Sequence, residues 1–220
     1  MFDYEGIQFL WMGHDGFRII SHNKKTIYID PFQIQKTEHN KNDADIVLIS
    51  HNHFDHLSIE DLKYVISDNT TLVAAKECFE QLKEIEVKEL TYVRPGDKLE
   101  IEGIPIEAVR AYNTNKKFHP KEDDKIGFIV TINNQRIYHA GDTDIIPEMK
   151  SVDADIAFVP VSGTYVMTSE EAAQAVNNLI KPRKLAIPMH YGSIVGTEKD
   201  AETFCELVKV CETKILIKND

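Results

Sequence analysis

Short apolar runs, broken by polar and turn-forming residues, recur along the whole chain and alternate extended with helical periods. Strand-like runs fall at residues 7–11, 16–20, 26–29, 46–49, 71–74, 104–109, 127–132, 136–138, 156–161, 185–187 and 214–217. Their period-two or continuous apolar patterns fit half-buried or fully buried strands. Helical periods lie between them. Ser58, with Asp61 three residues on, makes a capping-box-like start for a helix reaching about Ile66. Thr168 or Ser169, followed by Glu170 and Glu171, opens a second helix that ends before Pro182. Thr197 caps a third, with Ala201, Phe204, Cys205 and Val208 on one face. The Lys-, Asn- and Asp-rich run 113–125 reads as an exposed loop.

The pattern repeats. Ile27-Tyr28 recurs as Ile137-Tyr138, Ala44-Asp45-Ile46 recurs as Ala154-Asp155-Ile156, and the helix starts at Ser58 and Thr168 match, each at an offset of 110 residues. Gly16-Phe17 matches Gly127-Phe128 at 111, and Leu72 matches Leu185 at 113. A near-constant offset in one order predicts a single domain, 1–220, of two similar halves, about 1–110 and 111–220. Each half is a hairpin–strand–helix–strand unit with a mixed sheet and helices on one face. Packed sheet to sheet, they give an α/β fold, a four-layer αβ/βα sandwich. Ligands of α/β units collect at the carboxyl ends of strands, so the segments after 46–50 and after 185–189 fall at the functional edge.

Composition narrows the partners. The chain has 220 residues, 42% of them hydrophobic, and no apolar run near the ~18 residues of a membrane helix. Its acidic, mixed start (Met1-Phe2-Asp3-Tyr4-Glu5) lacks the form of a signal peptide. Cys78, Cys205 and Cys211 are odd in number and never closely paired, so they read as reduced residues of a cytoplasmic protein. A net charge of −11 disfavours nucleic acid and membrane surfaces. Bound divalent ions would still make a local site cationic, suited to a small anionic substrate. A homo-oligomer is left open.

The densest chemistry is His51-Asn52-His53-Phe54-Asp55-His56, directly after the apolar run Ile46–Ile49 and Ser50. Side chains at i and i+2 share a face in extended chain, so His51 and His53 can grip one ion. Asp55 and His56, around the turn, point to a neighbouring position. One ion would leave ligands unused, so two divalent ions are expected, zinc first, with manganese or iron as alternatives. No Gly-x-Ser-x-Gly elbow offers a competing nucleophile.

This motif, a later His, Gly141-Asp142-Thr143-Asp144 and a final His resemble the metallo-β-lactamase superfamily. Gly13-His14-Asp15-Gly16-Phe17, Ile29-Asp30-Pro31-Phe32, Tyr138-His139-Ala140, Gly163-Thr164-Tyr165 and Pro188-Met189-His190-Tyr191-Gly192 resemble its branch of predicted metal-dependent hydrolases. That branch is similar to ascorbate-6-phosphate lactonase and, more remotely, to N-acylphosphatidylethanolamine phospholipase D. The resemblance implies a first site of His51, His53 and His119, a second of Asp55, His56 and His190, and Asp142 bridging the ions. It implies hydrolysis of an ester, lactone or phosphodiester by metal-activated water, with Asp55 handling a proton and His14 as a further catalytic candidate. Asp30 either orients a ligand histidine or caps a turn, and His139 either supports the site or packs as a neutral buried histidine. Thr143 and Asp144 are expected to support the ligands, and Tyr165 to contact substrate or pack. His22 and His39 read as solvent-exposed. A nuclease acting on RNA or DNA, and a non-hydrolytic di-iron or sensor protein on the same scaffold, are the alternatives.

Overall fold

Tight hairpins feed buried parallel strands, and this happens twice. The computed structural model describes residues 1–218, and the chain divides into two units, Met1–Arg94 with the segment from Leu216, and Pro95–Ile215. The first unit holds a seven-stranded sheet in sequence order: β1 (Phe2–Tyr4), β2 (Ile7–Gly13), β3 (Gly16–Ile20), β4 (Thr26–Ile29), β5 (Ile46–Ile49), β6 (Thr71–Ala75) and β7 (Glu89–Val93). Helices α1 (Ile59–Val65) and α2 (Phe79–Leu82) form the crossovers after β5 and β6. The second unit repeats the series with β8 (Lys98–Ile101), β9 (Ile104–Arg110), β10 (Ile126–Ile132), β11 (Gln135–His139), β12 (Ile156–Pro160), β13 (Leu185–Met189) and β14 (Glu212–Thr213). Its crossovers carry α3 (Ser169–Ala175) and α4 (Glu198–Leu207), which pack on each other and against β12 and β13.

In each sheet the first four strands pair antiparallel and the last four parallel. The parallel strands β5, β6, β12 and β13 are buried at every position. This is why they read as continuous apolar runs rather than alternations. The fold class is α/β, with two similar mixed sheets, as expected. Residues 95–110, assigned to the first half from sequence, belong to the second sheet, because β9 pairs with β10.

The repeated residues have an architectural cause. Asp45 accepts a hydrogen bond from Thr26 N–H at 2.8 Å, and Asp155 accepts one from Arg136 N–H at 2.8 Å. Each Asp thereby ties the entry of a parallel strand to its neighbour, and each is braced by a cation, Lys25 at 2.9 Å and Arg183 at 2.7 Å. The hydrogen bond from Arg183 holds the Asp155 carboxyl below the usual range. The registers agree: Ile27 pairs with Ile46, and Ile137 with Ile156. One match was out of step. Ile46 pairs with Thr71 while Ile156 pairs with Leu185, so Leu185 aligns with Thr71, not Leu72.

Three two-residue hairpins have both central residues at positive φ: Glu5-Gly6, Glu102-Gly103 and Asn133-Asn134. That is the turn type whose twist matches flanking strands. In the β2–β3 hairpin the turn residues are His14, at φ 52°, and Asp15. The equivalent β9–β10 connection opens into the long loop 111–125.

The helix signals mostly hold. Ser58 accepts from Asp61 N–H, and Thr168 with Glu171 forms a full capping box. One π-helical turn, Val176–Ile180, extends α3 to Lys181, just before Pro182. The expected strand 214–217 does not form. The ladder is carried by Glu212–Thr213, and from Leu216 the chain joins the first unit. Among the described residues no helix is long and apolar enough to cross a membrane.

Candidate metal centre

In the first unit the carboxyl ends of β4 and β5 organise the His-rich loop. Asp30 follows β4 at φ 45° and is fully buried. A non-glycine residue in this region is strained, and such strain clusters at functional sites. Asp30 accepts from Ser50 N–H at 2.8 Å, from Ser50 Oγ and from His56 Nδ1 at 2.8 Å. The Ser50 oxygen in turn lies 2.9 Å from His51 Nδ1 and accepts its proton. Both histidines therefore have Nδ1 occupied, which leaves Nε2 as the lone pair for a ligand.

His53 behaves differently. Its Nδ1 lies 3.1 Å from His51 Nε2. Two nitrogens bound tetrahedrally to one zinc at ~2.0–2.1 Å stand roughly 3.3 Å apart, so this pair fits a shared ion. The turn is pinned from both sides: Leu57 N–H donates to the His53 carbonyl at 2.8 Å, Asn52 N–H to Glu77 at 3.0 Å and Gln81 to the Asn52 carbonyl at 2.9 Å.

The β2–β3 turn supplies the rest of this half-site. His14 Nε2 lies 3.0 Å from Asp55 Oδ2, and Trp11 Nε1 donates to the His14 carbonyl at 2.9 Å. Asp15, not singled out from sequence, is fully buried with Oδ2 3.6 Å from His56 Nε2. Its signal was its place in Gly13-His14-Asp15-Gly16.

In the second unit Asp142 follows β11 through Gly141. A side chain at Gly141 would meet the Ile126 carbonyl at 2.6 Å, and its φ is +62°, so only glycine brings the carboxylate here. Asp142 Oδ2 lies 3.1 Å from His119 Nε2 and 3.3 Å from His190 Nε2. One carboxylate oxygen thus stands between two imidazole nitrogens.

His119 corrects the reading of residues 113–125 as simply exposed. It is buried, held by Asn113, whose Oδ1 accepts from His119 N–H at 3.0 Å and lies 3.1 Å from Nδ1. Asp144 folds the loop around it, accepting from Thr114 N–H at 2.8 Å and from the Lys116 ammonium. Thr143 Oγ1 donates to the Tyr112 carbonyl at 3.1 Å. His190, at φ 60° just past β13, has Nδ1 2.8 Å from Ser162 Oγ. His139 is buried at the end of β11 and accepts from Gly141 N–H through Nδ1 at 3.3 Å, so it braces the Asp142 turn. His22 and His39 are exposed.

The donor set fits divalent ions: imidazole nitrogens, with Nδ1 of His51, His56 and His119 each held by an oxygen acceptor, and carboxylates whose named contacts are histidines rather than lysine or arginine. Ser50, Asn113 and Ser162 were missed from sequence. Each is an ordinary polar residue whose role depends on where the fold carries it.

Residues 8–190 match the family model described as the β-lactamase superfamily domain. The UPF0173 metal-dependent hydrolase of Thermoplasma acidophilum is 35% identical, over 97% of this chain and 96% of the relative. A crystal structure of a proposed metal-dependent hydrolase from Parabacteroides distasonis superposes with a TM-score of 0.81 at 32% identity, covering 95% of this chain and 92% of that one. The metallo hydrolase Igni18 of Ignicoccus hospitalis, at 21% identity, shares the fold with a TM-score of 0.75 over 97% of this chain and 96% of its own.

Proposed function

This chain belongs to the β-lactamase superfamily domain family, within the UPF0173 metal-dependent hydrolases, and we propose that it hydrolyses a small ester, lactone or phosphodiester at a dinuclear metal site. In this reading His51, His53 and His119 hold one ion, Asp55, His56 and His190 hold the other, and Asp142 bridges them. Zinc suits the set best, with manganese or iron as substitutes. The single observation that carries it is Asp142 Oδ2, 3.1 Å from His119 Nε2 and 3.3 Å from His190 Nε2. Those two histidines are assigned to different ions, which supports giving the carboxylate between them the bridging role.

Divalent ions bound there supply Lewis-acid polarisation and bring the pKa of water towards neutrality. The chain's own residues do the rest. Asp30, Ser50, Asn113 and Ser162 fix the imidazoles so that no reorganisation is required during the reaction. In the same reading Asp55, hydrogen-bonded to His14, handles the proton of the attacking water, and His14 is the further candidate acid. The resemblance proposed from the sequence motifs, to ascorbate-6-phosphate lactonase and the phospholipase D, would imply the same bond types. The odd number and wide spacing of the cysteines in the sequence fit the cytoplasmic setting proposed with this function.

The test is a panel of phosphodiesters, lactones, thioesters and β-lactams, assayed with chelator-stripped protein and again after zinc or manganese is restored. The expected result is hydrolysis of at least one class that vanishes on stripping and returns with metal. Turnover equal in stripped and reloaded protein would overturn the proposal.

A further inference from the structure

Most large apolar side chains of this protein are buried, and three of the exposed ones sit beside proposed ligands. Phe54, between His53 and Asp55, is 69% exposed; Phe118, next to His119, is 50% exposed; Ile194, four residues past His190, is 39% exposed. Single exposed apolar residues are ordinary on a protein surface. Rings continuous with the side chains that hold the ligands are a different observation.

In the first unit Phe54 meets Phe32 edge-on at 5.9 Å, and Phe32 meets the His14 ring at 6.0 Å. His14 is itself hydrogen-bonded to Asp55. A ladder of rings therefore runs from a proposed catalytic pair out to solvent. In the second unit Phe118 stands edge-on to Tyr165 at 4.6 Å. The Tyr165 carbonyl accepts from Asn113 Nδ2 at 2.9 Å, and the same Asn113 holds His119. Each unit separately carries an aromatic pair built onto its ligand support.

From these pairs we infer that the substrate carries an apolar acyl or aryl group next to the bond that is cut, and that each aromatic pair, on its own unit, offers that group an apolar face, Phe54 with Phe32 in the first and Phe118 with Tyr165 in the second. This rests on the hydrolase reading and narrows it. A compact polar anion gains nothing from exposed rings, whereas an alkyl chain or aryl group removes their apolar surface from water and makes edge or face contacts with them. Tyr165 thereby gains a role as a substrate contact.

The test separates binding from turnover. Zinc-loaded protein is titrated calorimetrically with acetate and with hexanoate, which share a carboxylate and differ by four methylenes. We expect hexanoate to bind roughly tenfold tighter or better, a modest fraction of full burial of that chain. In Phe54→Ala and Phe118→Ala, both surface changes, the hexanoate-to-acetate ratio should fall towards one while zinc content stays the same. Wherever ester turnover is measurable, kcat/KM should rise from acetyl to hexanoyl esters in parallel. A ratio near one in the unaltered protein would overturn the inference, as would a ratio that both variants leave intact. So would concentration-dependent dimerisation abolished by the two variants with the ratio already near one, since the rings would then be covering a second copy. Absence of hydrolysis with the binding ratio intact would count against the hydrolase reading and leave the apolar subsite standing.

Discussion

Asp142→Asn is expected to lose roughly a thousandfold in turnover, near the upper range for removing one electrostatic contact at a reaction centre. Its carboxylate oxygen is close to both His119 Nε2 and His190 Nε2, so an amide there removes the charge that two cations would share. Metal content should fall with the activity. Stability gives the decisive contrast. Asp142 is buried and its named contacts are histidines rather than lysine or arginine, so in metal-free protein burying its charge carries a desolvation cost. Metal-free Asp142→Asn should therefore unfold at the same urea concentration as the unaltered protein, or a higher one. A variant that keeps its metal and its turnover would remove Asp142 from the bridging position. One that unfolds early without metal would make it a structural residue.

Asp30→Ala should have the second-largest effect, and on both properties. Asp30 accepts from Ser50 N–H, Ser50 Oγ and His56 Nδ1, all buried. Alanine takes the acceptor away from these donors and loosens the His56 ring, whose Nδ1 keeps the longer 3.4 Å contact with Ser50 Oγ. Breaking such a buried network costs about 3 kcal/mol. Loss of the group that orients a ligand imidazole typically weakens metal affinity 10–100-fold. Chemical denaturation and competitive zinc titration check the two halves separately. Unchanged zinc affinity in a folded Asp30→Ala protein would limit Asp30 to a turn-capping role.

The two variants act on residues of different legibility. The 51–56 cluster stood out directly, because four side chains of metal-ligand type within six positions at a strand end are a density that packing alone does not require. Asp142 and His190 were reached through the family resemblance, and the strand ends that carry them were visible as apolar runs. The 110-residue offset was legible for a structural reason: Asp45 and Asp155 make the same hydrogen bonds to the strand beside them. What was hidden depended on tertiary placement. Ser50, Asn113 and Ser162 look like loop residues until the fold sets each against an imidazole Nδ1. The loop carrying His119 looked solvent-exposed because its composition is polar. Asp144, far along the chain, consumes that polarity internally. Short edge strands were missed for a related reason. β1, β7 and β8 are brief, bear charged residues and show only partial burial.

Binding of two ions by the proposed ligand set is the central claim. The direct measurement is the zinc bound per chain in stripped protein titrated with zinc, read by elemental analysis alongside turnover of the best panel substrate. Two ions per chain, with full turnover reached only as the second binds, is the predicted result. Saturation at one ion with full activity, or hydrolysis by protein holding no metal, would contradict it.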